Sequence, residues 1–335
     1  MLRANLRYAV GMAGLLALSA CGGQPEGDPV RFTVPSGSGM IAVADTLANR
    51  EIIRWPTLFR LYARQRGAER TIKPGTYEMQ RGTAWSDVLD RMVAGDVVTL
   101  NIVVPEGWTA VQIGQRIAEA TGTSADSVVA ALLDETLAQE LDLPGPTLEG
   151  YLYPATYILP VGVRPRRVIE TMVNRYRQAW TPELRERADS MGLSEREVVT
   201  LASIVEKEAR RWTERDTIAA VFLNRLRINM PLQADPTVQY ALGAHQSRLL
   251  YAHIDSVADH PYNTYRRRGL PPGPIASPSQ GAIRASLNPA DVDFLYFVAR
   301  PDGSHIFTRS LLEHNRARIQ VRRQLDAAAA PSGGG

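Results

Sequence analysis

A chain of 335 residues is long enough to bury a sizeable core in two domains, and 44% apolar with 22% charged residues is a globular composition. A net charge of +3, with no basic run interleaved with aromatics, argues against a nucleic-acid partner. One cysteine leaves no internal disulfide.

Residues 1–21 place Arg3 and Arg7 before an apolar run from Tyr8 to Leu18. The run is too short to span a bilayer as a mature helix and ends in small residues, the layout of a secretory signal. Leu18-Ser19-Ala20-Cys21 resembles a bacterial lipobox, in which the cysteine becomes the lipidated first residue. The alternative is an ordinary signal or short anchor with an incidental cysteine. The single cysteine falls where the motif needs it, so the expectation is membrane attachment through lipidated Cys21 and a flexible tether over 22–29.

From 30 to about 120 the sequence carries a weak internal repeat: an extended segment, a glycine, and a helix with apolar residues six and ten positions later. The copies are Gly37 with Val43 and Leu47, Gly82 with Val88 and Met92, and Gly107 with Ile113 and Ile117. Each glycine supplies a turn, and the spacing puts both apolar residues on one helical face. With a further helix over 52–66, residues 30–100 resemble the LysM fold, a small module that often holds glycan chains. A structural spacer with the same layout is the alternative.

Helical patterns follow over 111–120 and 124–141, and Leu143-Pro144-Gly145-Pro146 breaks them. Glu149 lies among aromatic and apolar residues in LEGYLYP, either as part of a cleft wall or as a solvated acid at a turn. Helices are expected over 165–178 and 182–190, each with proline in its first turn. The next stretch, SEREVVTLASIVEKEARRW from Ser194 to Trp212, opens with a capping box formed by Ser194 and Glu197. Val198, Leu201, Ala202, Ile204 and Val205 form its buried stripe. Glu208 projects from that apolar face, whereas Glu206 is turned towards the polar side. A carboxyl among Leu and Ile resists ionisation, as a general acid must near neutral pH. On the helix alone the competing account is the stronger: Glu208 leaves the core at the helix end and pairs with Arg211 or Arg215.

Further helices are expected over 217–228, 238–242, 279–287 and 311–325, with strands over 294–299 and 305–309 forming a hairpin. The Pro- and Gly-rich loop between 262 and 279 is long for a compact domain, which points to function. Residues 326–335 read as a disordered tail. No His-x-x-Glu-His or Cys-x-x-Cys spacing is present, so a zinc site is unsupported, and there is no Gly-x-Ser-x-Gly elbow or phosphate-binding glycine loop. A hydrolase would need a second carboxylate, Glu149 or Asp235, across the cleft.

The runs LASIVEKEA, FLNRLRINMPLQADPTVQYALG, PYNTYRRRGLPPGPIASPS and the LYFVA strand, with EGYLYP, resemble in order the endolytic murein transglycosylases, the MltG or YceG-like family. The resemblance covers roughly residues 30–325 and implies an α+β fold: a small LysM-like N-terminal module, then a mixed, largely helical catalytic domain over 101–325 with a short β-hairpin. It implies cleavage of the β-1,4 bond between N-acetylmuramic acid and N-acetylglucosamine without water, with Glu208 as the catalytic acid and no metal or organic cofactor. Glu149, Gln233, Asp235, Asn263 and Tyr265 match family motifs and become substrate-binding candidates, although each equally suits a loop anchor, Asp235 as a helix cap. The resemblance further implies glycan strands as substrate, contact with peptidoglycan synthases, and a catalytic domain facing the periplasm or cell exterior. Members usually carry a transmembrane helix where this chain has its cysteine motif. A wall-binding lipoprotein with an inactive catalytic-like domain is the reading of another class.

Overall fold

The computed structural model describes residues 25–329, apart from 245 and 248. The signal-type segment, Cys21 and the end of the expected tail lie outside the described residues. Two compact units are present, divided between Asn101 and Ile102, with residues 158–164 returning to the first.

The first unit runs β1 (Glu26–Val34), α1 (Met40–Asn49), α2 (Pro56–Gln65), β2 (Gly75–Arg81) and α3 (Trp85–Ala94). β1 and β2 pair antiparallel, with Val30 opposite Met79 and Val34 opposite Gly75. Alternation along the strands turns Phe32, Val34, Tyr77 and Met79 into a core with Leu47, Phe59, Trp85 and Met92. Phe59 and Trp85 meet edge to face at 5.8 Å. Two expectations need correction here. β1 begins at Glu26, inside the stretch expected as tether, because β2 extends to Arg81 and gives Glu26 a partner. The helix expected from 52 begins at Pro56, and Ile52 and Ile53 instead fill the core from the preceding connection.

The repeat has a backbone basis. Gly37, Gly82 and Gly107 have φ of 80°, 73° and 71°, a left-handed turn that other residues adopt at a cost. The six apolar residues placed after them are all buried.

β3 (Thr99–Val104) and β4 (Ala155–Pro160) form a second two-stranded sheet, and the division between units falls within both strands. Between them lie α4 (Ala110–Thr121), α5 (Ala125–Leu132) and α6 (Glu135–Glu140). The helix expected over 124–141 is thus two helices. Asp134 interrupts it by accepting from the Thr136 amide at 2.8 Å, which starts α6. The chain continues through α7 (Pro165–Ala179), α8 (Pro182–Ser190) and α9 (Glu195–Glu208). A 3-10 turn (Trp212–Glu214) leads to α10 (Arg215–Arg227), α11 (Asp235–Leu242), α12 (Tyr251–Ser256) and α13 (Gln280–Leu287). The β5 (Tyr296–Ala299) and β6 (His305–Thr308) hairpin precedes α14 (Leu311–Ala329), which continues past 325 through helix-favouring alanines into the stretch expected as tail. Among the described residues no helix is long and apolar enough to cross a membrane.

α9 organises the second unit. Its capping box forms as expected, with Ser194 accepting from the Glu197 amide and Glu197 from the Ser194 amide at 2.8 Å. The single buried stripe, however, is a correction: all eight residues from Val198 to Val205 are buried. Val198, Val199 and Ala202 pack with Tyr151, Tyr176 and Ile283. Leu201, Ile204 and Val205 pack with Ile218, Phe222 and Ile275 on another side. Each such aliphatic side chain contributes about 1.5–3 kcal/mol by leaving water.

Gly150 lets the 148–151 turn lie against α9. Its φ is 84°, and a Cβ there would overlap the Pro274 ring, with Cγ at 2.6 Å, and crowd Val199 at 3.2 Å. Gly150→Ala is therefore expected to lower stability by about 2 kcal/mol through overpacking and backbone strain, measured by chemical denaturation.

Candidate active site

α9 ends in two acids with opposite surroundings. The Glu206 side chain is only 7% exposed and is fully engaged. Its Oε1 takes Arg215 Nη2 at 2.6 Å, and its Oε2 takes the Ser279 amide at 3.0 Å and hydroxyl at 2.5 Å. The polar side on which Glu206 was expected is not open water: three donors from the protein take the place of solvent around its carboxyl.

Glu208 is the last helical residue and is half-buried. Among the described residues its carboxyl makes no hydrogen bond or ion pair. Arg211 pairs instead with Asp302, and Arg215 with Glu206, so the helix-end pairing fails. Burial, and secondarily the charge of Asp235, push the Glu208 carboxyl up to about 8, while Arg225 and Arg210 pull the other way. Part of the side chain stays accessible while the carboxyl lies against dense protein, so it is both reachable and protonated at neutral pH. That combination suits a general acid.

Arg225, which the motif reading passed over, is the buried cation of the site. It stacks on Tyr296 at 5.3 Å and donates to the carbonyls of Leu295 at 2.6 Å and Leu232 at 2.5 Å. Its sequence signal was an arginine at helical spacing with Ile218 and Phe222, on the buried face of α10. Bonded to carbonyls rather than to an acid, it keeps a positive charge available to a Glu208 carboxylate.

The two loops expected at the site interlock. Thr264 accepts from the Ala234 amide at 3.0 Å and lies 2.8 Å from the Thr237 hydroxyl, while the Gln233 amide donates to the Thr264 carbonyl at 3.1 Å. These bonds start α11 from outside, and Asp235 is not its cap. The Asp235 carboxylate instead accepts from the Tyr265 phenol, and burial together with that bond raises the Tyr265 pKa. Asp235 and Tyr265 are thus coupled to each other and electrostatically to Glu208. Gln233 is exposed and held at φ 49°, a costly conformation for a residue with a side chain.

Asn263 has a different place. It is fully buried, its amide donates to the carbonyls of Ile254 at 2.9 Å and Val257 at 3.0 Å, and its oxygen takes the Tyr265 amide at 3.1 Å. With those bonds made it shapes the loop and offers nothing to a ligand. Glu149 is neither solvated nor on a cleft wall: it is 2% exposed, and both its oxygens lie 3.0 Å from the Ala110 amide at the start of α4. Burial pushes it up to about 8, beside the phenols of Tyr240 and Tyr262. Among the described residues no cluster of His, Cys, Asp and Glu forms a metal site. Surface hollows along α14 and between α5 and α7 carry no group resembling Glu208.

Two pH effects follow. Glu208 must hold its proton to act as an acid, so the rate of any reaction that depends on it in that role is expected to be level below about 8 and to fall roughly tenfold per pH unit above it, in a kcat/KM profile. Glu149 binds its proton more tightly folded than at the ordinary 4.5, so its contribution to stability declines between 4.5 and about 8. The slope is about 1.4 kcal/mol per pH unit for this one group. Glu149→Gln should remove it, as read from denaturation midpoints across that range.

The model of the YceG-like family matches residues 32–320. Over 308 residues the chain is 35% identical to the endolytic murein transglycosylase of Bacillus subtilis (strain 168), spanning 86% of this chain and 84% of that protein. It is 31% identical over 317 residues to the endolytic murein transglycosylase of Streptococcus pneumoniae serotype 2 (strain D39 / NCTC 7466), spanning 86% of this chain and 57% of the pneumococcal protein. The crystal structure of a putative yceG-like protein from Listeria monocytogenes aligns with a TM-score of 0.60 at 32% identity, covering 87% of this chain and 100% of that one. With the family match running from β1 into α14, the chain belongs to the YceG-like family.

Proposed function

We propose that the chain is an endolytic murein transglycosylase, a lyase that cuts peptidoglycan glycan strands within their length. The observation that carries this is Glu208: a carboxyl raised to about 8, unpaired among the described residues and partly accessible, at the end of a helix whose residues 198–205 are all buried. Membership of a family whose curated relatives bear that name supports the substrate class.

In the proposed reaction, protonated Glu208 gives its proton to the glycosidic oxygen joining N-acetylmuramic acid to N-acetylglucosamine, and the C1–O bond breaks. Positive charge develops at C1, which the nearby Asp235 carboxylate favours. Glu208, now a carboxylate next to Arg225 and Arg210, takes the proton of the muramic C6 hydroxyl as O6 bonds to C1. The products are a free 4-hydroxyl and a 1,6-anhydro end, together isomeric with the substrate. One acid serves both steps because the nucleophile belongs to the substrate.

Asp235 beside Glu208 also gives a hydrolase its second carboxylate, and the products separate the two. Mass analysis of digested glycan strands should show anhydro ends and no hydrated reducing ends. Glu208→Gln should lower the rate at least a hundredfold, with stability no lower than the wild type above pH 8. Hydrated ends, or undiminished cleavage by Glu208→Gln, would defeat the proposal.

The first unit is proposed to be LysM-like on the strength of its strand–helix–helix–strand order, and to lie near a membrane through lipidated Cys21. Cys21→Ser should release the protein from the membrane fraction of a bacterial host; retention would refute the lipid anchor.

A further inference from the structure

Four residues beyond the acid the chain makes its 3-10 turn, and Trp212 projects from it 77% exposed. The turn is pinned on both sides. Before it, Arg211 donates to the Asp302 carbonyl and pairs with the Asp302 carboxylate, both at 3.0 Å. After it, Glu214 accepts from the His305 amide at 3.1 Å and lies 2.7 Å from His305 Nδ1, and Arg215 is bonded to Glu206. The His305 side chain is 3% exposed, so this anchoring reaches into the interior.

The turn that carries the indole is tied to Asp302 and His305, so stacking a ligand on the exposed ring removes apolar surface from water without first having to order the backbone. Four residues of extended chain span at most about 14 Å, which keeps Trp212 within a few pyranose rings of Glu208. The C–H face of a pyranose is apolar and flat enough to lie on an aromatic ring.

We propose that Trp212 is a stacking platform for one pyranose ring of the glycan strand, a few sugars from the bond that Glu208 cleaves. It would favour long strands over fragments that end at the cleavage point. The proposal rests on the glycan-cleaving reading.

Binding is measured by calorimetry in the Glu208→Gln background, where turnover is expected to be at least a hundredfold slower, with purified glycan strands and with a disaccharide fragment. Adding Trp212→Ala should weaken long-strand binding roughly tenfold, as loss of one stacked ring does elsewhere, and leave the disaccharide unchanged. Trp212→Phe should retain most of the affinity. An unaltered melting temperature is expected for both variants, since the ring packs on little. If the parent binds long strands and Trp212→Ala binds them equally well, the platform is overturned while the glycan-cleaving reading stands. If the parent binds no glycan, both fall.

Discussion

An enclosed helix that ends in an unpartnered acid is the constraint around which the second unit is built. Eight consecutive residues of α9 are buried, so neighbours on more than one side fix its axis and depth. The position of the final helical residue then follows from packing rather than from bonds of its own. Glu208 also sits where the helix presents its unsatisfied carbonyls, the negative end of the helix dipole, which opposes a carboxylate there. Burial, dipole and Asp235 all favour the neutral acid.

Glu206 shows what the same residue type becomes with partners. Two positions earlier, it gathers an amide, a hydroxyl and a guanidinium, and through them ties the start of α13 and the start of α10 to α9. Losing one partner of such a buried pair leaves a charge unmatched, at a cost of about 3–5 kcal/mol. Ser279 serves twice here, since its hydroxyl also accepts from the Ala282 amide at 3.1 Å and so caps α13. The acid on the polar side of the helix is architectural, and the one whose competing reading was a helix-end ion pair is the chemically available one.

Features that depend on periodicity and local turns were readable in the residues. The three glycine-led repeats, the capping box on α9 and the proline starts of α7 and α8 are all short-range, and the structure has them. Features set by distant chain were not. β4 exists because β3 offers it a partner, and Glu26 is in a strand because Arg81 lies opposite. Helical spacing assumed one buried face for α9 and therefore misassigned Glu206, whose donors come from residues nine and seventy-three positions away. Asn263 and Glu149 matched family motifs as convincingly as Asp235 did. Only their bonds, directed at backbone amides and carbonyls inside the protein, separate them from groups that can meet a substrate.

The site's layout can be understood as a balance that one acid must strike twice. To donate, Glu208 must be neutral; to accept a proton a moment later, its carboxylate must not be prohibitively costly. A carboxyl buried with no cation nearby would satisfy the first demand and fail the second, and one locked in an ion pair with arginine would do the reverse. Arg225 resolves the conflict by position. Its guanidinium is held by the Leu295 and Leu232 carbonyls and by the face of Tyr296, and among the described residues it makes no ion pair with Glu208. It acts through space alone, strongly enough to soften the ionised state and too weakly to overturn burial, which is why the net displacement of Glu208 remains upward.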